Sequence, residues 1–237
     1  MFRLLKAAVI AVLSASSLLN ASGELSLPYS DFPKKADAKK VREVVDHYTL
    51  THSTPEKPFN TTSRTFNFLL DHMPLTTAIM RELDLEKYVI TVREDGTMMS
   101  DDNDGVVGTF EPVFCTKSRR VLYGDGTFSA GLLGDIRGES VVVIDYVEDG
   151  PAVKCATAVY VKVHGFFAPF VRLASPIIRG MVSRKSASIL TASMALSEKL
   201  TTDPDSVYEK IRKSDQITPE DMVEFRKEFV TREATSL

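Results

Sequence analysis

The chain has 237 residues, with 29 Lys and Arg against 32 Asp and Glu and a net charge of −3, so it lacks the basic excess that a nucleic-acid surface requires. Hydrophobic residues at 43% and charged residues at 26% are ordinary for a globular protein, which excludes disorder of the whole chain.

Residues 1–23 read as a secretory signal. Arg3 and Lys6 precede an apolar run over 4–19, and Ala21-Ser22-Gly23 offers small residues at the −3 and −1 positions before Glu24. The apolar run is short and Ser-rich for a spanning helix; an uncleaved anchor is the alternative. No Cys follows it, so a lipoprotein site is absent. Losing Arg3 and Lys6 takes the net charge from −3 to −5. The expected location is secreted or periplasmic, in a bacterial host. The mature length suits one core with an appendage. An oxidising compartment permits a Cys115–Cys155 disulfide, whereas strand parity favours two small buried thiols; both readings stand.

After a Pro-containing linker or lid at 25–35, residues 36–51 predict a helix. Val41, Val44, Val45, Tyr48 and Leu50 lie along one side and Lys39, Lys40, Glu43 and Asp46 along the other. The stretch 52–60, with Pro55 and Pro58, ends it, and Asn60-Thr61-Thr62 matches a glycosylation sequon. A second helical region over 63–85 is stepped at Pro74. From Tyr88 the apolar period becomes two. Strands at 88–94 and 97–100 are joined by Asp95-Gly96, a strong hairpin signal. An acidic turn at 101–105 leads to a strand at 106–115 and a turn at 116–118. Two strands at 119–124 and 127–134 are separated by Asp125-Gly126, and a loop at 135–138 follows. Strands at 140–147 and 152–165 flank the turn at 148–151. The pattern is a six- or seven-stranded antiparallel meander.

A long apolar helical run begins at Phe166. Pro169, Pro176 and Gly180 predict a kinked or split segment over 166–181, with a regular helix over 183–200. Its apolar richness fits a helix buried on most sides, a ligand-lining segment or a membrane-touching one. Asp203-Pro204 and Thr218-Pro219-Glu220-Asp221 are helix starts with an N-cap and Pro in the first turn. They predict two short, charged, peripheral helices at 203–213 and 218–231.

Two helical pieces, a meander and a long helix, with VKCATAVYVKVHG running into FFAPFVRLASPIIRGMVSRKSASIL, resemble the START-like superfamily, also called SRPBCC or helix-grip. The resemblance spans 63–200 and implies an α+β fold in which a curved antiparallel sheet grips a C-terminal helix. Such folds begin with a strand ahead of the two short helices, and only 59–65 is left to supply it. The expected organisation is a signal at 1–23, an N-terminal linker and helix at 24–60, the helix-grip domain at 61–200 and a helical appendage at 201–237.

Candidate chemistry is sparse. Residues 100–111 overlay a calcium loop at Asp102, Asp104, Gly105, Val107 and Glu111, but Ser100 takes the first ligand position and strands flank both ends, so a solvated acidic turn is expected and no metal site. Gly124, Gly126, Gly131 and Gly134 are spread along strands, where they mark bulges in place of a phosphate loop. The sequence contains no GxSxG, HExxH or CxxC. His72 beside Asp71 reads as a hydrogen-bonded residue at a helix edge. No cofactor is expected.

What the resemblance implies is non-covalent binding or carriage of an apolar molecule, a lipid or polyketide-like ligand, between sheet and helix. A cyclase or hydrolase on the same fold, with only His72, Asp145, Tyr146 and His164 to draw on, and a ligand-free docking module with an apolar helix and transient membrane contact remain open. Parity assigns the lining. Charge-free faces carry Val142, Ile144 and Tyr146 on one strand and Val159 and Val161 on the next, and the same test adds Phe110 and Phe114. The helical segment adds Phe167, Phe170 and Ile178, with an opening near the 169–176 kink and Tyr146 as a polar handle. N-terminal sequencing of the exported protein should find Glu24 first; an intact Met1 in a cytoplasmic fraction would refute the signal.

Overall fold

The computed structural model describes residues 27–129, 135–165 and 175–230, so the expected signal lies outside it. Along the chain come α1 (Lys35–Asp46), β1 (Leu50–Phe59), α2 (Ser63–Asp71), α3 (Met73–Glu82), β2 (Val89–Val92), β3 (Met98–Asp101) and β4 (Val106–Cys115). There follow β5 (Arg119–Ser129), β6 (Asp135–Asp149), β7 (Ala152–Val163), α4 (Ser175–Thr202), α5 (Pro204–Ile211), α6 (Pro219–Phe225) and one π turn (Arg226–Val230). The strands form one antiparallel sheet in the order β1-β7-β6-β5-β4-β3-β2. This is the helix-grip arrangement that the resemblance implied, with β1 and β2 as its open edges.

The strand ahead of the short helices is Leu50–Phe59 and not 59–65, so the first helix stops at Asp46 instead of reaching 51. Pairing decides this: Leu50, His52 and Thr54 lie opposite Val161, Val159 and Thr157 of β7. Pro55 and Pro58 read as loop residues, yet an edge strand tolerates missing donors on its free side, and the register shifts between Thr54 and Lys57 to accommodate them. Asp125-Gly126 is no turn either, because β5 runs unbroken from Arg119 to Ser129. Likewise the expected loop at 135–138 is the start of the 15-residue β6. At both places the glycines answer a need for closeness. A Cβ on Gly126 would meet the Val107 carbonyl at 2.7 Å, one on Gly108 the Asp125 carbonyl at 2.7 Å, and one on Gly138 the Lys162 carbonyl at 2.8 Å. Since pairing continues through Gly108↔Gly126↔Gly138 and through Phe110↔Gly124↔Ser140 without a register shift, these glycines permit coiling of the strands, and the expectation of bulges at Gly124 and Gly126 is corrected, while Gly131 and Gly134 lie outside the described residues.

Both faces of the sheet are covered. On the outer face, Val121, Val141, Val143, Ala158 and Tyr160 pack against Val41 and Val44 of α1 and against Leu27 and Phe32 ahead of it. Val41 and Val44 are wholly buried, each worth about 1.5–3 kcal/mol of transfer free energy, so packing holds this 12-residue helix where propensity alone would not. The inner face packs Phe59, Tyr146, Val153 and Cys155 against Phe66 of α2 and Leu190 of α4.

Helix α4 is continuous over 28 residues, about 42 Å at 1.5 Å per residue. Pro176 is the second residue of this helix as described, and the helix runs on past Gly180 without a break. The Pro169 part of the expected kink lies outside the described residues. Farther along, Leu196 and Leu200 join a helical core with Ile79 of α3, Val207 and Ile211 of α5, Phe225 of α6 and Phe229. Thus α5 and α6 are not peripheral. Their starts are as expected: Asp203 accepts the Ser206 N–H at 3.1 Å and Thr218 with Asp221 forms a capping box. Phe225 is fully buried, so Phe225→Ala should cost about 3–5 kcal/mol in urea unfolding; an unchanged midpoint would return these helices to the periphery.

Candidate functional site

In antiparallel pairs, residues directly opposite one another share a face. The register therefore places Val142, Ile144 and Tyr146 beside Val159, Thr157 and Cys155 on the inner face. Leu122 lies opposite Val142 and Pro112. Phe110 sits opposite Gly124 and Met98, and Ser100 opposite Gly108 and Ile90. Here Ile90, Met98, Phe110, Leu122 and Val142 make a charge-free patch across β2 to β6. Among the described residues none of the five belongs to a packed core cluster, although Ile90 and Leu122 are buried at 9% exposure and the other three are half-buried. The inner face is thus apolar in its middle, with Ile90 set beside α3, where its N–H donates to the Thr77 hydroxyl at 3.3 Å.

The expected lining divides. Val142, Ile144, Tyr146, Val159, Val161 and Phe110 all lie on the inner face. Within that set, Ile144 and Tyr146 are packed with Phe59 and Phe66, Val161 packs near Leu50 and Ile136, and Val159 lines a crevice with Leu50, His52 and Val182 that has no room for water. Phe114 is on the other side. The register slips between Pro112 and Phe114, so Val113 is the extra residue of a bulge, and Phe114 pairs with Val121 on the outer face. There it stacks on Phe32 with ring centroids 4.8 Å apart. Parity counted through a bulge inverts every later residue, and Pro112 in an interior strand was the available signal. Phe167 and Phe170 lie outside the described residues, as does the side chain of Ile178. Sequence reasoning passed over Ile90, Met98 and Leu122, which the Asp95-Gly96 hairpin could have placed by carrying its parity through to β5.

One end of the patch is polar. Arg120, 9% exposed, donates to the Thr116 carbonyl, to Asn67 Oδ1 at 2.9 Å and to Asp71 Oδ1 at 3.2 Å. The Tyr146 hydroxyl donates to the same Asn67 oxygen at 2.7 Å. Burial raises the Tyr146 pKa, with the Arg120 charge opposing. Asn67 and Asp71 stand on α2, so this network ties α2 to β5 and β6. No short-range sequence signal links residues so far apart.

The residues held in reserve for catalysis do not meet. His72 caps the α2–α3 break with Nδ1 3.0 Å from Glu224 Oε2. Asp145 faces outward in a bidentate pair with Arg119. His164 stands 3.2 Å from Glu139 on another rim. Among the described residues no three His, Cys, Asp or Glu side chains are grouped as metal ligands. In the acidic turn, Asp102 accepts the N–H groups of Asp104 and Val106, each at 2.8 Å, and its second oxygen takes the Lys185 ammonium. The two cysteines are free: Cys155 is buried, but Cys115 is exposed at the end of β4, against the expectation of two buried thiols.

No family model and no curated protein matches the chain. Solved structures similar to it include a conserved protein from Geobacillus kaustophilus at 12% identity, covering 63% of this chain and 96% of that one with a TM-score of 0.47. A START superfamily protein from Mycobacterium smegmatis is similar at 11% identity over 64% and 99% of the two chains, with a TM-score of 0.42. Truncated norcoclaurine synthase from Thalictrum flavum is similar at 14% identity over 62% and 93%, with a TM-score of 0.41.

Burial, helped by Asp145, pushes the Cys155 thiol up to about 12, so it stays neutral through the neutral and mildly alkaline range. Burial raises the Cys115 thiol as well, but Cys115 is exposed and Cys155 is buried, so a thiol reagent at pH 8 should titrate one cysteine, Cys115, in the native protein and both after unfolding. Two native equivalents at pH 8 would show that the inner face is open at Cys155.

Proposed function

We infer that the protein is an exported binder or carrier of an apolar small molecule, held against the inner face of the sheet beneath α4. The observation that carries this reading is the apolar patch of Ile90, Met98, Phe110, Leu122 and Val142, in which Met98, Phe110 and Val142 are only half-buried and which stays outside every packed cluster of described residues. Pockets for small molecules combine such surface with a few polar groups at one end, and the Arg120, Tyr146 and Asn67 network stands where those groups are needed. A lipid or polyketide-like molecule fits the chemistry, since the patch offers area and no charge. Export is supported by the signal-like residues 1–23.

Two phenylalanines separated by the β4 bulge provide the test. Phe114→Ala removes a 7%-exposed outer-face ring and should cost about 3–5 kcal/mol in stability, with no change in the ligand seen by native mass spectrometry of protein purified from a bacterial host. Phe110→Ala should cost much less stability and lose the retained ligand. A full core-like destabilisation at Phe110, with bound material unchanged or absent in both proteins, would refute the reading.

A further inference from the structure

An open sheet must be closed between its edges, and α4 spans that gap. On the β1 side the contact is apolar, with Val182 against Leu50, Val159 and Val161. On the β2 to β4 side, beside a groove that Leu85 lines with Ala187 and Ser188, this part of α4 is tied by polar contacts. The Lys185 ammonium lies on Asp102 and is 3.1 Å from Asp104 Oδ2 in the β3–β4 turn, and the Ser188 hydroxyl donates to Glu86 just ahead of β2. The Asp102 carboxylate is preorganised for this, being 9% exposed and already holding the Asp104 and Val106 N–H groups, while Lys185 is 28% exposed. Desolvation works against the Asp102 charge, but the hydrogen bonds from Lys185, Val106 and Asp104 outweigh it and leave the pKa lowered. Thus the loop that overlays a calcium site is occupied by an ammonium group from the helix. The strands it borders carry Ile90, Met98 and Phe110 on their inner face.

The geometry points to a latch: the ion pair of Lys185 with Asp102 and Asp104 holds α4 shut over the β2–β4 side of the inner face, and ligand exchange requires it to break while the Val182 contact serves as the hinge side. This rests on the binding reading above. The latch explains why the tie is polar. An ion pair at a rim reforms with water when it opens, whereas an apolar seam would leave hydrophobic surface exposed. It sets the rate of entry and exit and leaves affinity to the apolar patch.

The test uses the full mature chain and N-phenyl-1-naphthylamine, a fluorophore that brightens in apolar surroundings, with stopped-flow uptake and hydrogen exchange measured in parallel. Lys185→Met should speed both uptake and release by roughly three- to tenfold, the range set by a partly exposed charge network, with little change in affinity. Exchange should also rise over 182–190. Lys185→Arg should keep wild-type rates. Asp104→Asn, which alters an 82%-exposed carboxylate, should give a smaller shift in the same direction and serves if Lys185→Met does not fold. Unchanged rates in Lys185→Met, when the wild type takes up the probe, would overturn the latch. If neither protein takes up the probe, the binding reading fails and exchange alone decides: loss of protection over 182–190 supports the latch and unchanged protection overturns it.

Discussion

A seven-stranded sheet that is apolar on both faces cannot leave either one to water, and the rest of the chain is arranged around that constraint. Val121, Val141 and Val143 point one way and Ile144, Tyr146 and Cys155 the other, so the central strands read as near-continuous apolar runs. An antiparallel sheet with one wet face alternates instead. The outer face is closed by α1 and the segment from Leu27 to Phe32, and the inner face by α2 and α4. Among the described residues, the patch around Phe110 and Val142 stays outside the packed clusters.

Curvature follows from where glycine stands. Gly108, Gly126 and Gly138 pair across three strands in one row on the inner face, each at a point where a Cβ would meet the backbone of the next strand. A methyl group there would force the strands apart, and overpacking of that kind typically costs 1–3 kcal/mol. The same row removes side chains from the inner face beside Phe110. Curvature and the row without side chains on the inner face thus share one cause.

The helical end of the molecule gives α4 its fixed point. Leu196 and Leu200 are buried among α3, α5 and α6, and the Arg120 network ties α2 to the sheet nearby. The opposite half of α4 rests on Val182 and the polar rim contacts. A helix anchored by burial at one end and by exchangeable polar ties at the other has its stability graded along its length. That gradient makes the half of α4 around Val182 and Lys185 the less firmly held.

The order helix, helix, meander, long helix was legible from sequence, because hydrophobic period and turn chemistry are local properties. The Asp95-Gly96 hairpin, the break before Pro74 and the caps at Asp203 and Thr218 each depend on residues a few positions apart. Tertiary pairing decided what local rules misjudge. Pro55 and Pro58 entered a strand because β1 is an edge, and Asp125-Gly126 stayed extended because its glycine faces another glycine across β4. Phe114 changed faces because one extra residue at Val113 reverses parity. Likewise Lys185 and Asp102, 83 positions apart, carry no mark of each other in the chain. Only the fold brings them together, since the closure of an open sheet by a helix is a property of the whole sheet and not of any stretch within it.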